Sequence, residues 1–339
     1  MAELFPTRGI RVTARSNSST AGVYKETRTL ISDTSLFLGV RPQCPRCRAN
    51  ISLFDCQFCG LQMPVENGIV KALQPGRATH FARSTEDYEH IGAADGRWNQ
   101  QDDFYLSLPY KDTSGQNKQQ WEIRARCFDH LMKHVLTRDF QHDGGRILDL
   151  GAGNCWMSYR LALANYRPFA VDLLTDDHEG IGAAEHFQKY LPTMFPRIQA
   201  ELSCLPFQDG QFDAAIFNGS FHYDEDYVAT LREALRCVRN GGMVIISGTP
   251  WYSREVSDRK SVAERNSAYL KRSGTASGPI KSLEYLTDER LRTIEDQFGI
   301  RWTIHHPPYG LKWPVLNLVA RLSNRREPPR FRIYATRKV

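Results

Sequence analysis

Through the middle of the chain, short apolar runs at 146–150, 169–171, 214–218 and 243–247 alternate with segments of helical patterning. A strand that is apolar along its whole length is buried on both faces, and strands separated by helices join in parallel. The pattern predicts an α/β fold: a mostly parallel sheet with helices on both faces. Ahead of it, Ile123, Cys127, Leu131 and Val135 recur every four residues, and Phe128 and Met132 widen the stripe, which predicts an amphipathic helix over 121–138. Segments at 300–304 and 331–335, with a helix around 313–322 between them, are expected to complete the sheet.

The first run continues as Ile147-Leu148-Asp149-Leu150-Gly151-Ala152-Gly153-Asn154-Cys155, and a helix is expected from Trp156 to Leu163. Gly151 and Gly153 remove side chains where backbone must approach a ligand, and the following helix aims its free amides into the turn. The second run ends in Asp172, 23 residues beyond Asp149, near the spacing at which nucleotide-binding α/β folds hold ribose hydroxyls. A dinucleotide fold satisfies these features equally well.

Further motifs narrow the choice. Leu148-Asp149-Leu150-Gly151-Ala152-Gly153, Val171-Asp172, Leu205-Pro206-Phe207 followed by Phe212-Asp213, and Leu235-Arg236 leading to Gly241-Gly242 resemble, in order, the motifs of class I S-adenosylmethionine-dependent methyltransferases of the type 11 kind. The resemblance spans about 121–339 and is nearest to the small methyltransferases of quinone and natural-product pathways. It implies a Rossmann-like, mostly parallel, seven-stranded sheet and S-adenosyl-L-methionine as cofactor. At the matching positions it implies Asp149, Gly151 and Gly153 along the methionine and ribose part and Asp172 on the ribose hydroxyls. It further implies Glu201 accepting from the adenine amino group, Leu202 flanking the adenine, and Asn218 beside the methionine moiety, facing the acceptor.

The chain departs from that pattern at two positions. Cys155 stands where a third glycine is usual and places a side chain at a tight strand-to-helix contact. Asn240 stands where proline usually precedes the glycine pair, a mild change because asparagine tolerates the same turn. Methyl transfer from a sulfonium asks chiefly for alignment of acceptor, methyl carbon and sulfur. Where the acceptor must also lose a proton, His222 is the candidate catalytic base, since imidazole titrates near neutrality. Packing against the cofactor or orienting the loop is the competing role for that histidine.

Four of the eight cysteines lie between positions 44 and 59, in Cys44-Pro45-Arg46-Cys47 and Cys56-Gln57-Phe58-Cys59 with eight residues between the pairs. Each C-x2-C pair predicts a knuckle that presents two thiolates to one ion, so Cys44, Cys47, Cys56 and Cys59 are expected to bind a structural Zn2+ in a closed site. Metal would hold together a zinc ribbon over 39–76 that is too small for a stable core of its own. The segment Met63-Pro64-Val65-Glu66-Asn67-Gly68-Ile69-Val70 is similar to the one after the last cysteine pair in ribbons that activate or precede methyltransferases, some of them ribosomal RNA guanine methyltransferases.

The expected organisation is an extension over 1–38, the ribbon over 39–76, a linker or lid with an N-terminal helix over 77–138, and the methyltransferase domain over 139–339. Aromatic residues from Trp98 to Tyr110, and the region 251–279, are expected to cover the cleft or to serve as plain core. No run approaches the roughly twenty apolar residues of a membrane span, and residues 1–19 lack the apolar block of a secretory signal. Cysteine usage fits a reducing compartment, so the cytoplasm is expected. The net charge of +6, with arginines gathered near the C-terminus, fits either an anionic partner or a solvated basic surface. Three functional readings result: methylation of a small-molecule or lipid-like acceptor, methylation of an RNA base guided by the ribbon, and a catalytically silent scaffold suggested by Cys155.

Overall fold

The computed structural model describes residues 37–52, 54–94, 98, 101–137, 144–253, 285–309 and 329–339. Its centre is a nine-stranded sheet in the order β1-β2-β5-β4-β3-β6-β7-β11-β9. The strands are β1 (Val65–Glu66), β2 (Ile69–Lys71), β3 (Arg146–Leu150), β4 (Arg167–Asp172), β5 (Arg197–Gln199), β6 (Phe212–Asn218), β7 (Val238–Ser247), β9 (Thr303–His305) and β11 (Ile333–Arg337). A separate two-stranded ladder pairs β8 (Pro250–Trp251) with β10 (Arg330–Phe331). The seven strands from β5 to β9 are the expected class I methyltransferase sheet, parallel from β5 to β7, with β11 antiparallel between β7 and β9.

The sheet does not stop at seven. β2, at the end of the cysteine module, pairs in parallel with β5 through Ile69–Arg197, Val70–Ile198 and Lys71–Gln199, and β1 folds back on β2. The module therefore continues the central sheet.

Alternation along each strand sends neighbours to opposite faces. Ile147, Ala170, Ile216 and Ile245 pack with α2 (Asp102–Ser107), α3 (Lys118–Leu131), α4 (Trp156–Leu163) and the 3-10 segment Ile181–Tyr190. Leu148, Phe169, Phe217 and Ile246 face the other way, against α5 (Tyr227–Cys237), α6 (Asp288–Phe298) and the cysteine module. On that second face Phe37 is buried between Phe54 and Phe207, with ring centroids 5.2 and 5.6 Å away, although the sequence places it in a loose extension.

The helix ends follow local chemistry. Asp226 caps α5 by accepting from the Val228 and Ala229 amides, and Thr287 caps α6 by accepting from Arg290, each cap worth about 1 kcal/mol. The helix predicted over 121–138 is α3 followed by a π-helical turn at Met132–Leu136, which keeps Val135 and Leu136 buried. Residues 77–94, read as part of a linker or lid, belong to a 20-residue helix, α1 (Pro75–Ala94). The expected helix at 313–322 and most of the cleft-covering region at 251–279 lie outside the described residues. No helix among the described residues is long and apolar enough to cross a membrane.

Candidate functional site

β3 ends in the glycine turn, and the turn is pinned to β4. Both the Gly151 and Ala152 amides donate to the Val171 carbonyl, at 2.8 and 3.1 Å. The Gly153 amide donates to Asp172 Oδ2 at 2.8 Å, and the Leu174 amide donates to the other oxygen at 2.9 Å. Asp172 thus sits at the rim of the turn with backbone donors on both oxygens. Gly151 is left-handed, at φ +74°, and a Cβ there would come 2.2 Å from the Ser220 Cβ, so the position admits no side chain.

Beneath the turn, Asp149 is buried and accepts from the Ser158 hydroxyl of α4 at 2.7 Å. Burial pushes the Asp149 carboxyl up to about 7, against the hydroxyl bond that favours the charge and with a further push from Asp172. Burial also raises Asp172, and the Leu174 and Gly153 amides oppose that rise.

Cys155 occupies the N-cap of α4 with φ 62°, a left-handed conformation that explains why glycine suits this position. Its side chain is fully buried in the same apolar cluster as Trp156 and Met157, rather than exposed in the turn.

The end of β6 closes on this turn. Asn218 is its last residue, and Ser220 donates its hydroxyl to the Leu150 carbonyl, locking the loop against the glycine turn. His222 follows in a 3-10 turn, largely buried, its ring 4.1 Å from that of Tyr223. Glu201 and Leu202 lie beyond β5 on the far side of Asp172, where the Ala200 amide donates to the Asp172 carbonyl at 3.1 Å. Leu202 packs against the apolar cluster of the module face.

Asp149, Gly151, Gly153 and Asp172 therefore meet at one turn, the segment that begins at Asn218 abuts it through Ser220 with His222 two residues further along, and Glu201 and Leu202 follow β5 on its flank. Three residues at the site do not stand out in the sequence: Ser158 beneath Asp149, Ser220 against the glycine turn, and Arg77, whose Nε donates to Glu201 at 2.9 Å. A hydroxyl on the apolar face of a helix was the available signal for Ser158, whereas Arg77 carried none. The aromatic segment divides: Phe104, Tyr105 and Leu108 are core, whereas half-exposed Trp98 stacks on His178 at 4.6 Å.

The four clustered cysteines form two matched knuckles. Cys44 accepts from the Arg48 amide and donates to Ala49, both at 2.9 Å, while Cys56 accepts from Gly60 at 2.9 Å and donates to Leu61 at 2.8 Å. Arg48 and Gly60, each one residue past a knuckle, are left-handed. Sulfur separations of 3.6 Å for Cys44–Cys59 and 3.5 Å for Cys47–Cys56, with all four sulfurs within 4.8 Å of one another, suit a tetrahedral ion whose roughly 2.3 Å bonds give an edge of about 3.8 Å.

This module is sewn to the loop before β6. Gln43 donates to Pro206 and Gln208 to Arg41, both at 3.0 Å, and the Cys204 thiol donates to Pro45 at 2.9 Å. Arg48 reaches buried Glu233 at 3.0 Å, and Glu233 in turn accepts from the Leu205 amide and from Arg236.

Residues 148–246 match the family model described as a methyltransferase domain. Among curated proteins, the chain is 26% identical over 126 residues to a malonyl-[acyl-carrier protein] O-methyltransferase of Erwinia pyrifoliae, covering 37% of this chain and 44% of that protein. It is 29% identical over 165 residues to a demethylmenaquinone methyltransferase of Beutenbergia cavernae, covering 48% of this chain and 64% of that protein. The chain thus spans about half the length of the curated relatives it matches. Among solved structures, a Haemonchus contortus phosphoethanolamine N-methyltransferase 2 in complex with S-adenosyl-L-methionine superposes with a TM-score of 0.44 at 15% identity, covering 70% of this chain and 59% of that one. The chain carries a methyltransferase domain of the class I fold, its family match running from β3 through the glycine turn to the end of β7.

Proposed function

We propose that the protein is an S-adenosylmethionine-dependent methyltransferase that acts on a small-molecule or lipid-like acceptor. The observation that carries this reading is the glycine turn of a methyltransferase-family domain, bare at Gly151 and rimmed by Asp172, with Ser220, which lies between Asn218 and His222 in the chain, packed against it. Bound there, the cofactor supplies an activated methyl group on a positively charged sulfur. Asp149, Gly151 and Gly153 hold its methionine and ribose part, Asp172 the ribose hydroxyls, and Glu201 and Leu202 the adenine. Asn218 orients the methionine end toward the acceptor.

His222 takes the acceptor's proton where the chemistry requires it. Its place two residues beyond Ser220, which abuts the glycine turn, supports this role. The acceptor class is carried over from the curated relatives, whose names specify a malonylated carrier protein and a demethylmenaquinone. Zn2+ on Cys44, Cys47, Cys56 and Cys59 is structural, because four thiolates leave no open coordination position.

The decisive experiment incubates the purified protein with methyl-labelled S-adenosylmethionine and extracts separated into small-molecule, lipid and RNA fractions. Label in the first two supports the reading, and label confined to RNA replaces the acceptor with a nucleic acid. No label in any fraction, together with no binding of S-adenosylhomocysteine, returns the chain to a silent scaffold. Replacing His222 by Gln should lower turnover at least tenfold with donor affinity nearly unchanged. Equal loss of both removes the base role.

A further inference from the structure

Glu201 already has a partner. Both of its carboxylate oxygens accept from Arg77 Nε at 2.9 Å, and Oε1 accepts from Nη2 as well. Two guanidinium nitrogens thus engage both carboxylate oxygens, the bidentate kind of pairing in which guanidinium and carboxylate bind most strongly. The Glu201 side chain is only 14% exposed, so water competes weakly for it. Arg77 lies in the first turn of α1, directly after the cysteine module. The module fixes the entry to that helix, where Gln74 donates to the Pro45 carbonyl at 3.2 Å.

The guanidinium has a second carboxylate at hand. Arg77 Nη2 donates to Glu225 Oε2 at 3.0 Å, Glu225 Oε1 lies 2.8 Å from His80 Nε2, and the guanidinium carbon sits 4.7 Å from the Phe81 ring centroid. On leaving Glu201, Arg77 therefore keeps an ion pair and an aromatic face, and no charge is stranded.

An adenine amino group and the Arg77 N–H donors need the same Glu201 oxygens. We propose that Arg77 sets donor affinity as a latch on α1, competing with the adenine amine for Glu201, so that donor binding requires Arg77 to shift onto Glu225. This inference rests on the reading of Glu201 as the adenine acceptor. It gives the metal module a consequence at the donor site, since the module anchors both the helix that carries Arg77 and the loop that follows Glu201.

Isothermal titration of the full-length, metal-loaded protein with S-adenosylhomocysteine tests the latch without any need for an acceptor. Arg77→Ala should bind about tenfold more tightly than the parent, equivalent to about 1.4 kcal/mol. Arg77→Lys, which keeps the charge but loses the bidentate fork, should move in the same direction by roughly threefold. Glu225→Gln should weaken binding, because the displaced guanidinium loses its alternative partner. Unchanged or weaker binding by both Arg77 variants overturns the latch. Absence of binding by the parent protein, or binding undiminished in Asp172→Ala, sinks the donor-site reading itself and so is told apart from failure of the latch.

Discussion

Gly151 and Ser220 pack so closely that a single added carbon on the glycine would sit 2.2 Å from the serine Cβ. Gly151→Ala should therefore cost about 2–4 kcal/mol, combining overpacking with the penalty for a side chain in left-handed backbone. Equilibrium denaturation measures this, and the double variant with Ser220→Gly should recover the overpacking part alone. A stability unchanged within about 0.5 kcal/mol would contradict the contact.

Cys155 also occupies left-handed backbone but carries its side chain into the core. Cys155→Gly should change stability by less than about 1 kcal/mol, since relief of backbone strain offsets lost packing. Cys155→Val, with a branched Cβ at positive φ, should lose at least about 2 kcal/mol. Thermal melts of the two variants side by side check the contrast.

The glycine turn was the easiest part to read, because one uninterrupted apolar strand, two glycines and a carboxylate at the next strand end lie within a single βαβ unit. Arg77 was illegible for the opposite reason. It and Glu201 are 124 residues apart, and neither position has a local pattern that announces the other. β1 and β2 are two and three residues long, too short for a period to show, so the sequence pattern predicts seven strands where the sheet has nine. Helix α1 escaped notice because it carries no sustained apolar stripe, and its first turns are held through Phe81, Arg77 and His80. The intervals of four from Ile123 to Val135 fit one helix, and nothing in their spacing marks the π turn where α3 ends.

Glu233 ties the cysteine module to α5. Burial raises its carboxyl, but Arg236 and Arg48 outweigh that effect and hold it below the ordinary range. A depressed carboxyl contributes stability above its unfolded value, and that contribution is lost as pH falls through the folded value. Glu233→Gln should cost about 2–3 kcal/mol at pH 7, with the gap to the parent shrinking below about pH 4. Urea denaturation at the two pH values checks the sign.

Asp149 runs the other way. Its carboxyl is raised to about 7 by burial, so its contribution to the fold is complete below the ordinary aspartate range and is lost as pH rises through about 7. A donor whose cationic end lies beside Asp149 selects the ionised form. S-adenosylhomocysteine affinity should then rise by roughly fivefold from pH 6 to 7, reach about tenfold by pH 8 and level off above it. Titration across that range, with Asp149→Asn as the flat control, tests it.

Stripping metal from the four cysteines should release protection well beyond the knuckles. Hydrogen exchange after chelation is expected to rise at 40–74 and also at 201–208, which the Gln43–Pro206, Gln208–Arg41 and Cys204–Pro45 bonds hold in place. A rise confined to 40–62 would mean that the loop stands without the module.

The pairing of β2 with β5 also bears on how the protein can be divided. A fragment starting at Arg77 would leave Arg197, Ile198 and Gln199 as a raw flank of unpaired amides and carbonyls, the kind of border along which chains stick to one another. The cysteine-bearing segment thus doubles as a selvedge, the finished margin that keeps the fabric of strands from fraying into its neighbours.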